Sequence, residues 1–330
     1  MVTMAATNEN NPPNVQFSLQ YPVNQDSSTK GYYKLSMKPE QKQTIYIDLM
    51  NTSDVPVTLN IMNTNALSTQ NGGINYTDSK GSELSYSLNK SFLANQYIQV
   101  QKQIELQANS KQTIPIKIIA PKNNGTYLSG ILFTTQQNSE KENDDLVQIK
   151  SEVRVGTAIQ LDVGNREIPI VDIKESITKV YPSGIQIQTR VENPSPSIIK
   201  SYEVHFKVYN LQNQLLFEGG SKQFDMAPFT GIMFPSNWNS SAIQTGKYRI
   251  DLTVKGEGKT YTKKNVFEVN KADLKTYKIT NATSENKPIV ENDNHMMIYS
   301  LIGVITALVG YIIFEKRKRR KQAQKEESKN

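Results

Sequence analysis

TIYIDLMNTSDVPVTLNI, residues 44–61, decides the class of fold. Ile45, Ile47 and Leu49 alternate with Thr44, Tyr46 and Asp48, and a period of two puts the aliphatic set on one face of a strand and the polar set on the other. After the turn Asn51-Thr-Ser-Asp54 the alternation resumes at Val55, Val57, Leu59 and Ile61. The unit is strand, turn, strand, with one apolar face per strand.

The same grammar extends in both directions. Residues 63–95 are rich in Asn, Ser, Thr and Gly, with a turn at Asn71-Gly72-Gly73, yet carry Ile74, Tyr76, Leu84, Tyr86, Leu88, Phe92 and Leu93. They predict an ordered insertion or hairpin with a short helix. Alternation returns at Ile98 and Val100, Ile104 and Leu106, and Ile114, Ile116 and Ile118. Residues 126–133 form a further strand, in which Gly130 suggests close backbone packing or a bulge. Residues 139–145 read as a polar hairpin tip, and 146–161 as a strand region interrupted at Gly156.

A second run begins at Ile168 and continues through 184–191, the turn Asn193-Pro-Ser-Pro196, and strands over 202–209, 215–217, 247–254 and 261–269. Short strands, polar turns and the lack of a long amphipathic helix predict an all-β chain. The expected organisation is two consecutive immunoglobulin-like antiparallel β-sandwich domains, over 15–157 and 158–270, after a flexible N-terminus over 1–14. A polar stalk is expected over 271–295.

Residues 296–314, MMIYSLIGVITALVGYIIF, contain no charge. As a helix they would span about 28 Å at ~1.5 Å per residue, the thickness of a bilayer core. The following residues, 315–330, hold eight basic and three acidic side chains, a local charge of +5. Lys and Arg stay on the cytoplasmic side, so a single span, an external N-terminal part and an internal C-terminus are expected, with the helix and tail meeting membrane lipid. An external N-terminal part needs an export signal, so the opening MVTMAATNENNPPN is expected to be a signal-peptide remnant or the region after one was removed.

The tail accounts for most of the chain's +7 and leaves +2 for residues 1–314, which gives no reason to expect nucleic acid. Cysteine is absent, so each domain must be held by its own core. An external protein without disulfides points to a bacterial surface.

No HExxH, GxSxG or two-histidine cluster is present, so neither a metal site nor a cofactor is expected. Glu140, Glu142, Asp144 and Asp145 are dense, but they sit in one hydrophilic tip and read as a solvated turn. His205 alternates with Val204 and Phe206 and faces solvent, and His295 marks the membrane boundary. Gly256-Glu-Gly258-Lys259-Thr260 lacks the phosphate-loop spacing and joins two strands, so it reads as a hairpin turn. Trp238, the sole tryptophan, is expected to pack against its sandwich, with a role in binding as the alternative.

The order of parts resembles the WxL-interacting proteins of low-GC Gram-positive bacteria. The resemblance runs from about Val15 to Arg320. It rests on Ser36-Met-Lys-Pro39 leading into 43–51, the segment 125–133, the turn Val191-Glu-Asn-Pro194, and Met226-Ala-Pro-Phe229 continuing to Trp238 and Thr245-Gly-Lys-Tyr248. It implies a non-catalytic cell-surface scaffold that retains WxL-domain proteins at the wall, contacts peptidoglycan through its first domain and host extracellular-matrix proteins through its second. Gly125, Tyr127, Gly130, Asn193, Pro194, Gly246 and Tyr248 match the family pattern, and turn geometry or core packing explains them as well as ligand contact does. Tyr127, Asn193, Trp238 and Tyr248 are the candidate binding residues. Two other readings stay open at this stage. One is a wall-active ectoenzyme, which needs two converging carboxylates about 5 to 9.5 Å apart. The other is a strand-donating, chaperone-like assembly factor.

Overall fold

The alternation at residues 45–49 becomes a strand whose inward side chains, Ile45, Ile47 and Leu49, are buried, while Tyr46 and Met50 point outward and are exposed. The computed structural model describes residues 15–77, 86–135, 154–181, 184–238 and 243–276. The N-terminal segment 1–14, the acidic tip at 140–145, His295, the expected span 296–314 and the basic tail lie outside the described residues. Among the described residues no helix is long and apolar enough to cross a membrane.

Ten strands build the first domain: β1 (Val15–Gln20), β2 (Tyr33–Met37), β3 (Lys42–Asn51), β4 (Val57–Ser68), β5 (Ile74–Thr77), β6 (Ile98–Gln99), β7 (Gln103–Leu106), β8 (Lys111–Ile119), β9 (Gly125–Thr135) and β10 (Arg154–Val163). One sheet has the order β1-β3-β8-β6, and the other β2-β10-β9-β4-β5 with β7 also on β4. Ile114, Ile116 and Ile118 of β8 join Ile45, Ile47 and Leu49 in one core with Tyr33, Leu35, Leu59, Ile131, Phe133 and Leu161 of the facing sheet. Each such aliphatic side chain contributes roughly 2 kcal/mol by leaving water. Two short 3-10 turns, Lys90–Phe92 and Ala94–Tyr97, precede β6.

Two features differ from the sequence reading. The pairing is not wholly antiparallel: β2 runs parallel to β10, Tyr33 opposite Ile159 to Met37 opposite Val163. After β1 the chain crosses to the other sheet, and β2 covers an edge of β10 that would otherwise expose unpaired backbone. The expected division at 157/158 also falls inside β10, which pairs from Arg154 to Val163 with β9. Gly156 is not a break. An added Cβ there would lie 2.5 Å from the Ile131 carbonyl oxygen, so the glycine is required by close approach within a continuous strand.

The second domain contains β11 (Asp172–Tyr181), β12 (Gly184–Asn193), β13 (Ile199–Asn210), β14 (Leu215–Met226), β15 (Thr230–Trp238), β16 (Gly246–Gly256) and β17 (Lys259–Val269). They form a three-stranded sheet, β11-β12-β15, facing a four-stranded one, β14-β13-β16-β17. Ile185, Ile187, Phe234, Val204, Leu252 and Phe267 meet in its core. Glu257 and Gly258, both at positive φ, form the two-residue turn between β16 and β17, as the Gly256-to-Thr260 stretch predicts. The polar stalk expected from residue 271 opens instead with a docked helical segment over 271–276. Asn270 and Asp273 cap each other reciprocally at 3.0 and 2.9 Å, and Leu274 packs on the second core.

Candidate functional site

Asn193 ends β12 and is fully buried. Its amide nitrogen donates to the carbonyls of Ser197 (2.8 Å) and Ala227 (3.0 Å), and its oxygen accepts from the backbone and hydroxyl of Ser195. It ties the 193–197 turn to the connection between β14 and β15. Asn51 holds the equivalent corner of the first domain, with Nδ2 donating to Val55 and Gln107 carbonyls and Oδ1 accepting from Ser53. The Asn-x-Ser spacing shared by 51–53 and 193–195 is the signal that marks both as structural corners.

Tyr127, 1% exposed, lies on β9 and stacks on Phe92 at 4.5 Å, while Tyr97 meets it edge-on. Its hydroxyl donates to the Asn123 carbonyl at 3.0 Å, and burial pushes its pKa up. Trp238 and Tyr248 meet edge-to-face at 4.8 Å, with Phe217 and Phe267 alongside, at one end of the second core. Trp238 is buried and Tyr248 half-buried. The structure therefore brings Trp238 and Tyr248 together, places Tyr127 and Asn193 elsewhere, and gives all four packing and hydrogen-bonding roles.

Tyr127 and Asn193 both border the junction between the domains. Phe92, under Tyr127, also touches Phe229 of the second domain at 4.3 Å. Thr126 donates its backbone N–H to the Pro196 carbonyl at 2.7 Å, Gly73 to Asp225 at 2.9 Å and Leu88 to Phe229 at 2.8 Å. The Ala227 N–H donates to Ser68 Oγ (2.9 Å), and Thr230 Oγ1 donates to the Ala227 carbonyl (2.7 Å). The close Ser68–Thr230 contact must then have Ser68 as donor, so the three residues close a ring of hydrogen bonds. Ala66, Leu128 and Ala227 form a small apolar core here with Ile74, Tyr76 and Ile198. Burial pushes Tyr76 up to about 12. At Gly125, φ +144°, an added Cβ would sit 2.8 Å from both Phe92 and Pro196, so the backbones approach only because that side chain is missing. Both domains fall in one compact unit that ends at Tyr277.

The remaining polar groups lie on sheet faces. His205 is exposed beside Glu203 at 3.4 Å and borders a shallow depression shared with Lys207, Glu218, Thr253 and Lys255. Among the described residues no group of three His, Cys, Asp or Glu side chains could hold a metal. The edge strand β14 has three register shifts against β13 and carries Gly219-Gly220, features that spoil an edge for strand addition. On the outer face of β1-β3-β8, Asp48 accepts from Gln20 Nε2 (2.8 Å), Thr113 Oγ1 (2.6 Å) and Lys111 Nζ (2.9 Å). The Thr113 and Lys111 hydrogen bonds lower its pKa. Tyr46 stands beside this network, 43% exposed. Sequence reasoning placed Tyr46 and Asp48 on the polar side of a strand and did not single out Gln20, Lys111 or Thr113. Their joint placement depends on β1, β3 and β8 meeting across 28 and 65 residues of chain.

Buried aromatics and polar sheet faces on two clamped all-β domains make a rigidly packed framework with broad exposed surfaces. A family model described as "WxL Interacting Protein, peptidoglycan binding domain" matches residues 16–135, and one described as "WxL Interacting Protein, host binding domain" matches 144–278. The chain belongs to the WxL-interacting protein family. It is a non-catalytic scaffold that binds WxL-domain proteins and peptidoglycan, and its domains are extracellular and associated with the cell wall. No curated protein matches the chain. Among solved structures, it overlaps a chaperone–tip adhesin complex of CFA/I fimbriae biogenesis at 9% identity and TM-score 0.37, covering 76% of this chain and 98% of that one. The CsuC-CsuE pre-assembly complex of Acinetobacter baumannii gives 8%, TM-score 0.33, 77% and 100%. Overlap at this level supports no reading of fold or function.

Proposed function

We propose that the chain is a membrane-tethered strut in which two immunoglobulin-like sandwiches are locked together, the first on the wall glycan and the second facing outward to host matrix proteins. The uncharged segment 296–314 and the basic tail after it suit a single span with the C-terminus inside. The observation that carries the proposal is the clamp between the domains. A junction with an apolar centre, a stacked aromatic bridge and satisfied backbone groups transmits position from one domain to the other, whereas a free linker would not. A scaffold that holds one partner at a fixed place relative to the wall needs that property.

The test uses intact cells carrying the full chain with one epitope in the first domain and another after Asn330. The first epitope is expected to be reached by antibody and protease from outside and the second to be protected. Host matrix proteins are then presented to the same cells. Exposure of both epitopes would remove the tether, and matrix binding equal to that of cells lacking the chain would remove the host-binding role.

A further inference from the structure

The first domain has two broad sheet faces, and among the described residues one of them is open. The middle of the β2-β10-β9-β4-β5 sheet is covered: β9 is buried on nearly every residue of both faces, and Leu128 and Ala66 lie under Tyr76, Ile74, Ile198 and Ala227. On the outer face of β1-β3-β8, Tyr46, Met50 and Ile119 are exposed among the described residues. Register places Gln20, Tyr46 and Pro115 in one cross-strand row, Ser18, Asp48 and Thr113 in the next, and Gln16, Met50 and Lys111 in a third. From Tyr46 to Met50 the strip is about 14 Å long at ~3.4 Å per residue.

We infer that this face is the glycan platform, and that Tyr46 and Asp48 are its principal contacts with N-acetylated amino-sugar strands. The inference rests on the assignment of peptidoglycan binding to the first domain. Tyr46 offers a ring 43% exposed, with Met50 at 44% farther along the same strand. A rigid ring flanked by polar groups suits a sugar, whose C–H face is apolar and whose rim is hydroxyl and acetamide. Asp48 supplies direction. An ionised carboxylate has about four lone-pair positions, and Gln20, Thr113 and Lys111 occupy three of them. Among the described residues no further donor meets the oxygen that faces Lys111, and this carboxylate, its side chain 12% exposed, can accept a sugar hydroxyl or acetamide N–H there. The three protein donors fix the carboxylate in place, so little side-chain freedom is lost on binding. Lys111 is 59% exposed and presents its remaining N–H donors to a ring oxygen or an anionic substituent. On the second domain, by contrast, the Tyr209 ring is covered by the Arg249 guanidinium at 4.4 Å.

The full chain, wild type and with Tyr46→Ala, Tyr46→Trp or Asp48→Ala, is sedimented with purified peptidoglycan and, separately, with glycan strands stripped of stem peptides. Thermal unfolding of each variant checks that the substitutions at exposed Tyr46 and at the largely covered Asp48 leave the fold intact. Tyr46→Ala is expected to weaken both interactions by about tenfold or more, the loss typical of a central aromatic contact. Asp48→Ala should weaken them several-fold, and Tyr46→Trp should restore wild-type binding. Wild-type sedimentation that is unchanged in both alanine variants would overturn this face while leaving peptidoglycan binding in place. Failure of the wild-type chain to sediment would overturn both. Loss of WxL-protein capture by Tyr46→Ala without loss of glycan would make the face a protein dock and overturn the glycan assignment.

Discussion

Asn51 and Asn193 end equivalent strands of the two domains and hold the same kind of turn, one strand crossing from its sheet to the other. Each donates to carbonyls downstream and accepts from a serine two residues on. They differ in what lies beyond the turn. The Asn51 corner closes on Gln107 of its own domain, whereas the Asn193 corner carries Pro196, whose carbonyl receives Thr126 of the other domain. A device that finishes one sandwich thus also joins two in the second. The two prolines of the Asn193 turn suit this role, because fixed φ angles hold Pro196 ready for the contact at a reduced entropic cost.

The comparison can be broken experimentally because Trp238, the sole tryptophan, reports on the second domain. Asn193→Ala strands fully buried carbonyls and is expected to cost about 4 kcal/mol, against about 2 kcal/mol for Asn51→Ala, an equally buried side chain whose Val55 and Gln107 carbonyl partners are only part-buried. In denaturant unfolding, tryptophan fluorescence should move most for the first and lag behind circular dichroism for the second. Phe92→Ala removes the ring between Tyr127 and Phe229, and about 3 kcal/mol of packing should disappear. The two probes should then separate into two transitions. Thr230→Val opens the hydrogen-bond ring with Ser68 and Ala227, an effect of about 1 kcal/mol on the same coupling.

Acid gives the smallest effect and sharpens the contrast from the other side. Asp26, bonded to Lys34 and Ser28, and Asp48, bonded to Thr113 and Lys111, both have lowered pKa values in the first domain. A depressed carboxylate stabilises the fold fully above its unfolded value, ~4, and loses that contribution as pH falls toward the folded value. Between about pH 4 and 2, circular dichroism should therefore report a slight fall in the first domain's midpoint before Trp238 fluorescence responds.

Local alternation made β3, β8, β13 and β16 readable, because each buries one face and shows the other to water. Turns at 51–54, 193–196 and 256–260 were readable from their Asn, Pro and Gly content. The parallel β2–β10 pair was not, since nothing local distinguishes a strand that changes sheet. Gly156 misled for a related reason: a glycine demanded by close contact looks like one that ends a strand. Tyr127 and Asn193 stood out in sequence because they match the family pattern, and in the structure both are buried and bonded beside the junction. Tyr46 and Asp48, which face outward, carried no local mark beyond alternation.

If the chain links wall glycan to a WxL-domain protein, it should carry that protein into a peptidoglycan pellet. The decisive measurement is how much WxL-domain protein sediments with purified peptidoglycan, with and without the full chain. An increment that rises with the amount of chain and saturates is expected. The same amount of WxL-domain protein in the pellet, whether or not the chain is present, would contradict it.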